Sequence, residues 1–205
     1  MKNQLKDLKA IYKGNKHLKL EAYKDVVIVD LETTCQSADL DPKRVYPKET
    51  IEIGAVRIKN GIVVDSFERF VKPLKMPFLT AFCKDLTTIT QEQVDKGVHF
   101  TQALQDFSNF CGDSKIMSFG KFDKTTLLQD METNNVDNVV FKNHLENHHV
   151  NLKKLMQTTY LEGNKLDTET MFKVVQLKFD GKLHRGIDDA RNFSKLYTTH
   201  ADFTH

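Results

Sequence analysis

The 205 residues contain no tryptophan, three cysteines, four prolines and nine glycines, and no apolar run reaches the length that crosses a bilayer. Each shortage removes a class. Without a spanning segment no membrane partner is expected, and the N-terminus lacks a signal peptide's apolar centre, so the chain is expected to be cytoplasmic. Cys35, Cys83 and Cys111 are odd in number and widely spaced, without a zinc-type pairing. They predict free thiols in a reducing compartment rather than a disulfide framework. Modest glycine and proline, with 40% hydrophobic and 28% charged residues, is ordinary globular usage and argues against disorder. A chain of this length buries a substantial single core.

Charge of one sign is also missing overall, since the net charge is only +2. Its placement is uneven. Residues 1–24 hold seven lysines (Lys2, Lys6, Lys9, Lys13, Lys16, Lys19, Lys24) against Asp7 and Glu21, a local +5 that leaves −3 on residues 25–205. The lysine-rich segment reads either as a basic arm that tracks phosphates or as a solvated helix, because Leu5, Leu8 and Tyr12 recur at helical spacing.

What is present centres on Asp25-Val26-Val27-Ile28-Val29-Asp30-Leu31-Glu32-Thr33-Thr34. A β-branched apolar run predicts a strand buried on both faces. Asp30 and Glu32 stand where it ends. Residues two apart in a strand point to the same side of the sheet, so the two carboxylates converge. Such a point is costly unless a cation or a proton is shared there, and acids in this pattern suit Mg2+ or Mn2+. The alternative is a pair of solvated loop acids.

After a polar loop to Pro47, Thr50–Ile58 predicts a second strand, whose apolar positions 51, 53 and 55 shift to 56 and 58 beside Gly54 and so predict a bulge there. Asn60-Gly61 predicts a hairpin into a third strand, 62–71. Helices follow, with Thr90 a candidate N-cap and an apolar helical spacing from Phe100 to Cys111. A short strand, 115–119, precedes Asp123 at a helix start, where the acid either complements the helix dipole or faces the first pair. The stretch 139–176 reads as mostly helical, with His144, His148 and His149 on the surface. The last helix has Ile187, Ala190, Phe193 and Leu196 or Tyr197 as its apolar face, which leaves Asp189 off the buried stripe and His184 on the loop before it.

Taken together these blocks resemble the DEDDh 3′-to-5′ exonucleases of the ribonuclease H-like superfamily. Asp30-Leu31-Glu32-Thr33-Thr34 matches the first acidic motif, Ser118-Phe119-Gly120-Lys121-Phe122-Asp123 the second, and His184 with Asp189 the His-x-x-x-x-Asp third. The phrases 51–56, 70–73, 86–91 and 151–155 fit as well, most like the branch of enhanced-RNAi and histone-mRNA-end exonucleases and bacterial KapD-like proteins. Thr88 departs from the branch, which has Gly there.

The resemblance implies an α/β, ribonuclease H-like fold with a central mixed five-stranded sheet flanked by helices. It covers roughly residues 25–200, so that 25–205 is expected as the exonuclease domain and 1–24 as a lysine-rich N-terminal extension. It implies two divalent ions, Mg2+ or Mn2+, held by Asp30, Glu32, Asp123 and Asp189, and His184 as general base. Asp188 is the rival to Asp189, and the family spacing favours Asp189. Leu31, Thr33 and Thr34 are expected at the terminal nucleotide, and Phe119 or Phe122 are candidates to stack on a base. The implied partner is the 3′ end of single-stranded RNA or DNA, released as nucleoside 5′-monophosphates. Two alternatives are an oligoribonuclease-like activity on very short fragments and a KapD-like regulatory role with a protein partner.

Overall fold

The computed structural model describes residues 2–37 and 48–204, so most of the expected polar loop, with Pro42 and Pro47, lies outside the described residues. In chain order the elements are α1 (Lys2–Asn15), β1 (Asp25–Thr33), β2 (Thr50–Lys59), β3 (Ile62–Phe70), α2 (Ala81–Thr87), α3 (Gln91–Asp95), α4 (Phe100–Cys111), β4 (Lys115–Ser118), α5 (Phe122–Thr133), α6 (Val139–His148), β5 (His149–Asn151), α7 (Leu152–Tyr160), α8 (Thr168–Val175) and α9 (Gly186–His200).

Among the described residues five strands form one mixed sheet in the order β3-β2-β1-β4-β5, antiparallel from β3 to β1 and parallel from β1 to β5. β1 is central, and Val26 to Val29 are at most 1% exposed. Val27, Val29 and Leu31 face α4, α5 and α6 with Ile53 and Ala55, while Val26 and Ile28 face α7, α8 and α9 with Val56 and Ile58. Each such buried side chain stabilises the fold by ~1.5–3 kcal/mol. Apolar contacts on both faces therefore fix the register that delivers Asp30 and Glu32 to one side.

The expected bulge beside Gly54 is absent. The β1–β2 ladder runs unbroken from Asp25↔Lys59 to Glu32↔Glu52, and the irregularities fall at Glu32/Thr33 and at Arg57/Ile58. The shift of apolar positions arises because both faces of β2 are covered, not because the strand flips. Gly54 has a different role. A Cβ there would lie 2.1 Å from Gly186 C, so its bareness lets the start of α9 rest on β2.

The hairpin turns through Asn60 and Gly61 at φ 49° and 80°, as a two-residue turn with both residues left-handed requires. Thr90 caps α3 in a capping box with Gln93. The histidine stretch differs from expectation. His149 opens β5 alongside β4 and bonds Ser118 Oγ at 2.8 Å, and His144 Nε2 meets Ser114 O at 2.8 Å, so of the three only His148 is an exposed residue. A three-residue strand carries too little pattern to be read without its neighbour.

α1 turns Leu5, Leu8 and Tyr12 inward and leaves Lys6 and Lys13 in water. α1 and the segment after it wrap the far half of α9, with Tyr12 OH 3.0 Å from His200 Nε2, Tyr23 N donating to Tyr197 OH at 2.7 Å, and Leu20 bridging Ala201. Covered by the sheet on one side and this segment on the other, α9 buries polar residues as well as its apolar face.

Thr88 ends α2 at φ 59°, ψ 10°. A β-branched residue is strained in the left-handed region, by ~1–2 kcal/mol. Thr88→Gly is expected to stabilise the protein by about 1 kcal/mol, after glycine's greater freedom in the unfolded chain is subtracted. Denaturation by urea checks this, and a lower midpoint would contradict it.

Candidate active site

The acids meet at the end of β1. Asp30 and Glu32 share the α9 side of the sheet, and Asp189, in the first turn of α9, reaches them from above. One carboxylate oxygen from each of the three lies within 4.8 Å of the others. Glu32 and Asp189 are buried, whereas Asp30, although enclosed by protein, keeps a partly open face. Asp189 is thus not off the buried surface of its helix: it is 4% exposed, because the carboxylates and the loop before α9 cover it.

Asp123 stands beside this group. Its Oδ1 accepts from Leu31 N at 3.0 Å, an amide left free on the strand between the two acids, and its carboxylate also accepts from Ser118. Ser118 Oγ in turn lies 2.8 Å from His149 Nε2, and burial lowers the His149 pKa to about 4. A neutral imidazole is therefore held next to the second motif.

Burial is the first cause of the acids' altered titration. It pushes Glu32 up to about 9, Asp189 to about 7 and Asp123 to about 6, and it raises Asp30 well above the carboxylate range, with Asp123, Asp189 and Glu32 adding repulsion. Four carboxyl groups in this state fit a divalent cation. Oxygen donors only, crowded and desolvated, are the donor set that hard cations prefer, and their repulsion is relieved when positive charge enters.

His184 lies on the loop before α9, exposed, at φ 65°. Asp189 holds that loop: its carboxylate accepts from Arg185 N at 3.1 Å and from the His184 amide. One acid thus belongs both to the cluster and to the turn that carries the imidazole. Asp188 points elsewhere, accepting from Lys182 N at 3.0 Å and pairing with Arg191 at 3.4 Å.

Leu31 lies between the two acids on β1, and Thr33 at the end of β1 and Thr34 just beyond it follow them, each under 8% exposed. Thr34 Oγ1 accepts from Glu49 N at 3.0 Å. Phe119 stacks on Phe193 with ring centroids 4.5 Å apart, whereas Phe122 is 44% exposed at the N-terminus of α5. Of the two, Phe122 is the ring with the more open face.

One residue near the acids was not identified as a site residue from sequence. Glu52, opposite Glu32 in the β1–β2 register, is fully buried and accepts from Arg185 Nε, Gly186 N and Ile187 N. Burial raises its pKa and Arg185 draws it back. The signal for it was an acid at an inward position of a strand otherwise apolar.

The model of the Exonuclease family matches residues 27–197. The chain is 29% identical over 177 residues to the probable 3′-5′ exonuclease KapD of Bacillus subtilis, covering 84% of this chain and 82% of that protein. With the 3′-5′ exonuclease Snipper of Drosophila melanogaster it shares 26% over 201 residues, 89% of this chain and 71% of the relative. Among solved structures, the nuclease domain of 3′hExo, a DEDDh family member bound to rAMP, superposes with a TM-score of 0.72 at 23% identity, over 87% of this chain and 92% of that one. That likeness carries the fold, and the expected ribonuclease H-like sheet is the one observed. The match spans β1 to α9 and so every acid of the cluster: the chain belongs to the Exonuclease family and is a hydrolytic exonuclease.

Proposed function

We propose that the protein removes nucleotides from the 3′ end of single-stranded RNA or DNA as nucleoside 5′-monophosphates, with residues 25–205 as the catalytic domain and 1–24 as a basic extension laid on it. The observation that carries this reading is the convergence of Asp30, Glu32 and Asp189 within 4.8 Å at the end of a buried strand, with Asp123 alongside. Asp30, Glu32 and Asp189 would hold one Mg2+ or Mn2+, and Asp30 with Asp123 a second. Such ions supply Lewis-acid stabilisation of charge on the phosphate and on the departing 3′ oxygen.

The protein's own groups do the rest. His184 takes the proton of the attacking water on a ring nitrogen, which frees the oxygen to bond phosphorus as the bond to the 3′ oxygen breaks. An exposed imidazole on a loop tied to Asp189 is suited to this, since the same carboxylate sets both the cluster and the base. Leu31, Thr33 and Thr34 would present backbone and side-chain edges to the terminal nucleotide, and Phe122 a face to a base.

Digestion of 5′-labelled RNA and DNA of several lengths, with Mg2+, with Mn2+ and with EDTA, tests the proposal. A ladder shrinking from the 3′ end only when metal is present is expected. His184→Ala is expected to slow it by ~10²–10⁴-fold, the range for loss of a general base. Internal cleavage, or cleavage in EDTA, would overturn the reading.

A further inference from the structure

A carboxylate with no solvent contact needs a reason to be there. Glu52 is 0% exposed, and its acceptor capacity is directed at one neighbour, the start of α9. Oε2 accepts from Arg185 Nε at 3.2 Å and from Gly186 N at 3.0 Å, and Oε1 accepts from Ile187 N at 3.4 Å. The first amides of a helix have no partner within it, and its N-terminus carries partial positive charge. Glu52 supplies the missing acceptors and the opposite charge, and it does so from the sheet rather than from the helix's own N-cap. Arg185, at that cap position, makes no side-chain capping bond.

The contact is close as well as polar. A Cβ on Gly54 would strike Gly186, and one on Gly186 would lie 3.0 Å from Asp30 O and 3.4 Å from Glu52 Cδ. Two bare residues let the helix start touch β1 and β2. Arg185 Nη2 extends the link to Glu68 Oε1 on β3 at 3.1 Å, so three adjacent strands hold one helical turn. Asp189 is three residues beyond Gly186, on that same turn.

We propose that Glu52 is a positioning residue that docks the first turn of α9 onto β2 and thereby sets Asp189 beside Asp30 and Glu32. This rests on the reading of those three acids as metal ligands. Glu52 itself is not one: its oxygens are occupied by Arg185, Gly186 and Ile187, and the group of converging carboxylates is Asp30, Glu32 and Asp189. Its effect reaches a bound cation only through Asp189. Removing such an orienting partner lowers metal affinity by ~10–100-fold.

The test is calorimetric titration of Mn2+ into metal-free wild type, Glu52→Gln, Asp189→Asn and the double variant. The Glu52→Gln change turns one acceptor into an amide donor facing N–H groups, so the docking fails without loss of volume. Glu52→Gln is expected to raise the Mn2+ dissociation constant ~10-fold or more. In the Asp189→Asn background the same change is expected to alter it by less than about twofold, because the path runs through Asp189. An unchanged constant in Glu52→Gln, or equal losses in both backgrounds, would overturn the proposal. Should Glu52→Gln fail to fold by circular dichroism, Arg185→Gln carries the same cycle. It removes the ion pair and keeps the backbone donors, and an unchanged Mn2+ constant there would overturn the proposal too. Absence of Mn2+ binding by the wild type would instead sink the metal reading on which the proposal stands.

Discussion

Asp30→Asn is expected to lower 3′-end hydrolysis by about 10³-fold or more, the scale for a residue at the reacting centre, while making the metal-free protein more stable. The two effects have one cause. Asp30 lies among Asp123, Asp189 and Glu32 in a desolvated pocket, and burial raises its pKa well above the carboxylate range. Without a cation the folded protein must either keep a proton there that the unfolded chain would release or hold a charge against its neighbours. An amide of the same shape does neither. Even ~1 kcal/mol of such relief corresponds to roughly 2–4 °C in melting temperature for a chain of this size. Activity assays with Mn2+ and thermal melts in EDTA read the two halves separately. A variant that is inactive and less stable without metal would show that Asp30 is a structural acid rather than one kept at a cost for function.

The same physics decides what could be read in the sequence. β1, the Asn60-Gly61 turn and the Thr90 cap are local signals, each complete within a few residues, and they appear in the structure as expected. The identity of the four acids was legible only through their spacing as three motifs, because what brings Asp189 to Asp30 is a helix placed by Gly54 and Gly186, contacts far apart in sequence. Burial of Asp189 was misjudged for that reason. The periodicity of α9 reports its apolar face and says nothing of carboxylates packed over its first turn, nor of Tyr12 and Tyr23 covering its far end. Glu52 was legible only as an acid among the apolar positions of β2, and its role depends on Arg185, 133 positions away. Thr88 runs the other way. Its departure from the family's glycine was visible at once, and only the left-handed backbone at that position gives the departure an energetic meaning.

Removal of metal is expected to matter more as pH rises. Folding raises Glu32 from 4.5 to about 9, Asp189 from 3.8 to about 7 and Asp123 from 3.8 to about 6, with burial the leading cause in each. Between pH 4 and 9 the metal-free folded state therefore binds more protons than the unfolded chain, so its stability falls with rising pH. The contribution of these groups is full below their unfolded values near pH 4 and is lost as pH passes 6, 7 and 9 in turn. Cation binding has the opposite dependence, because its carboxylate ligands must be deprotonated and protons are released as it binds. The melting temperatures with and without Mn2+ should thus lie close together at pH 5.5 and diverge toward pH 8.5. With metal at 100 times its dissociation constant the stabilisation is ~2.7 kcal/mol, or roughly 5–10 °C in this size class. Calorimetry in buffers of different ionisation enthalpy should report net proton release near neutral pH, and less of it at pH 9 where Glu32 is already half ionised. A gap that narrows as pH rises, or binding without proton release at pH 7, would mean that the four acids do not share their protons with the cation and that the ion sits elsewhere.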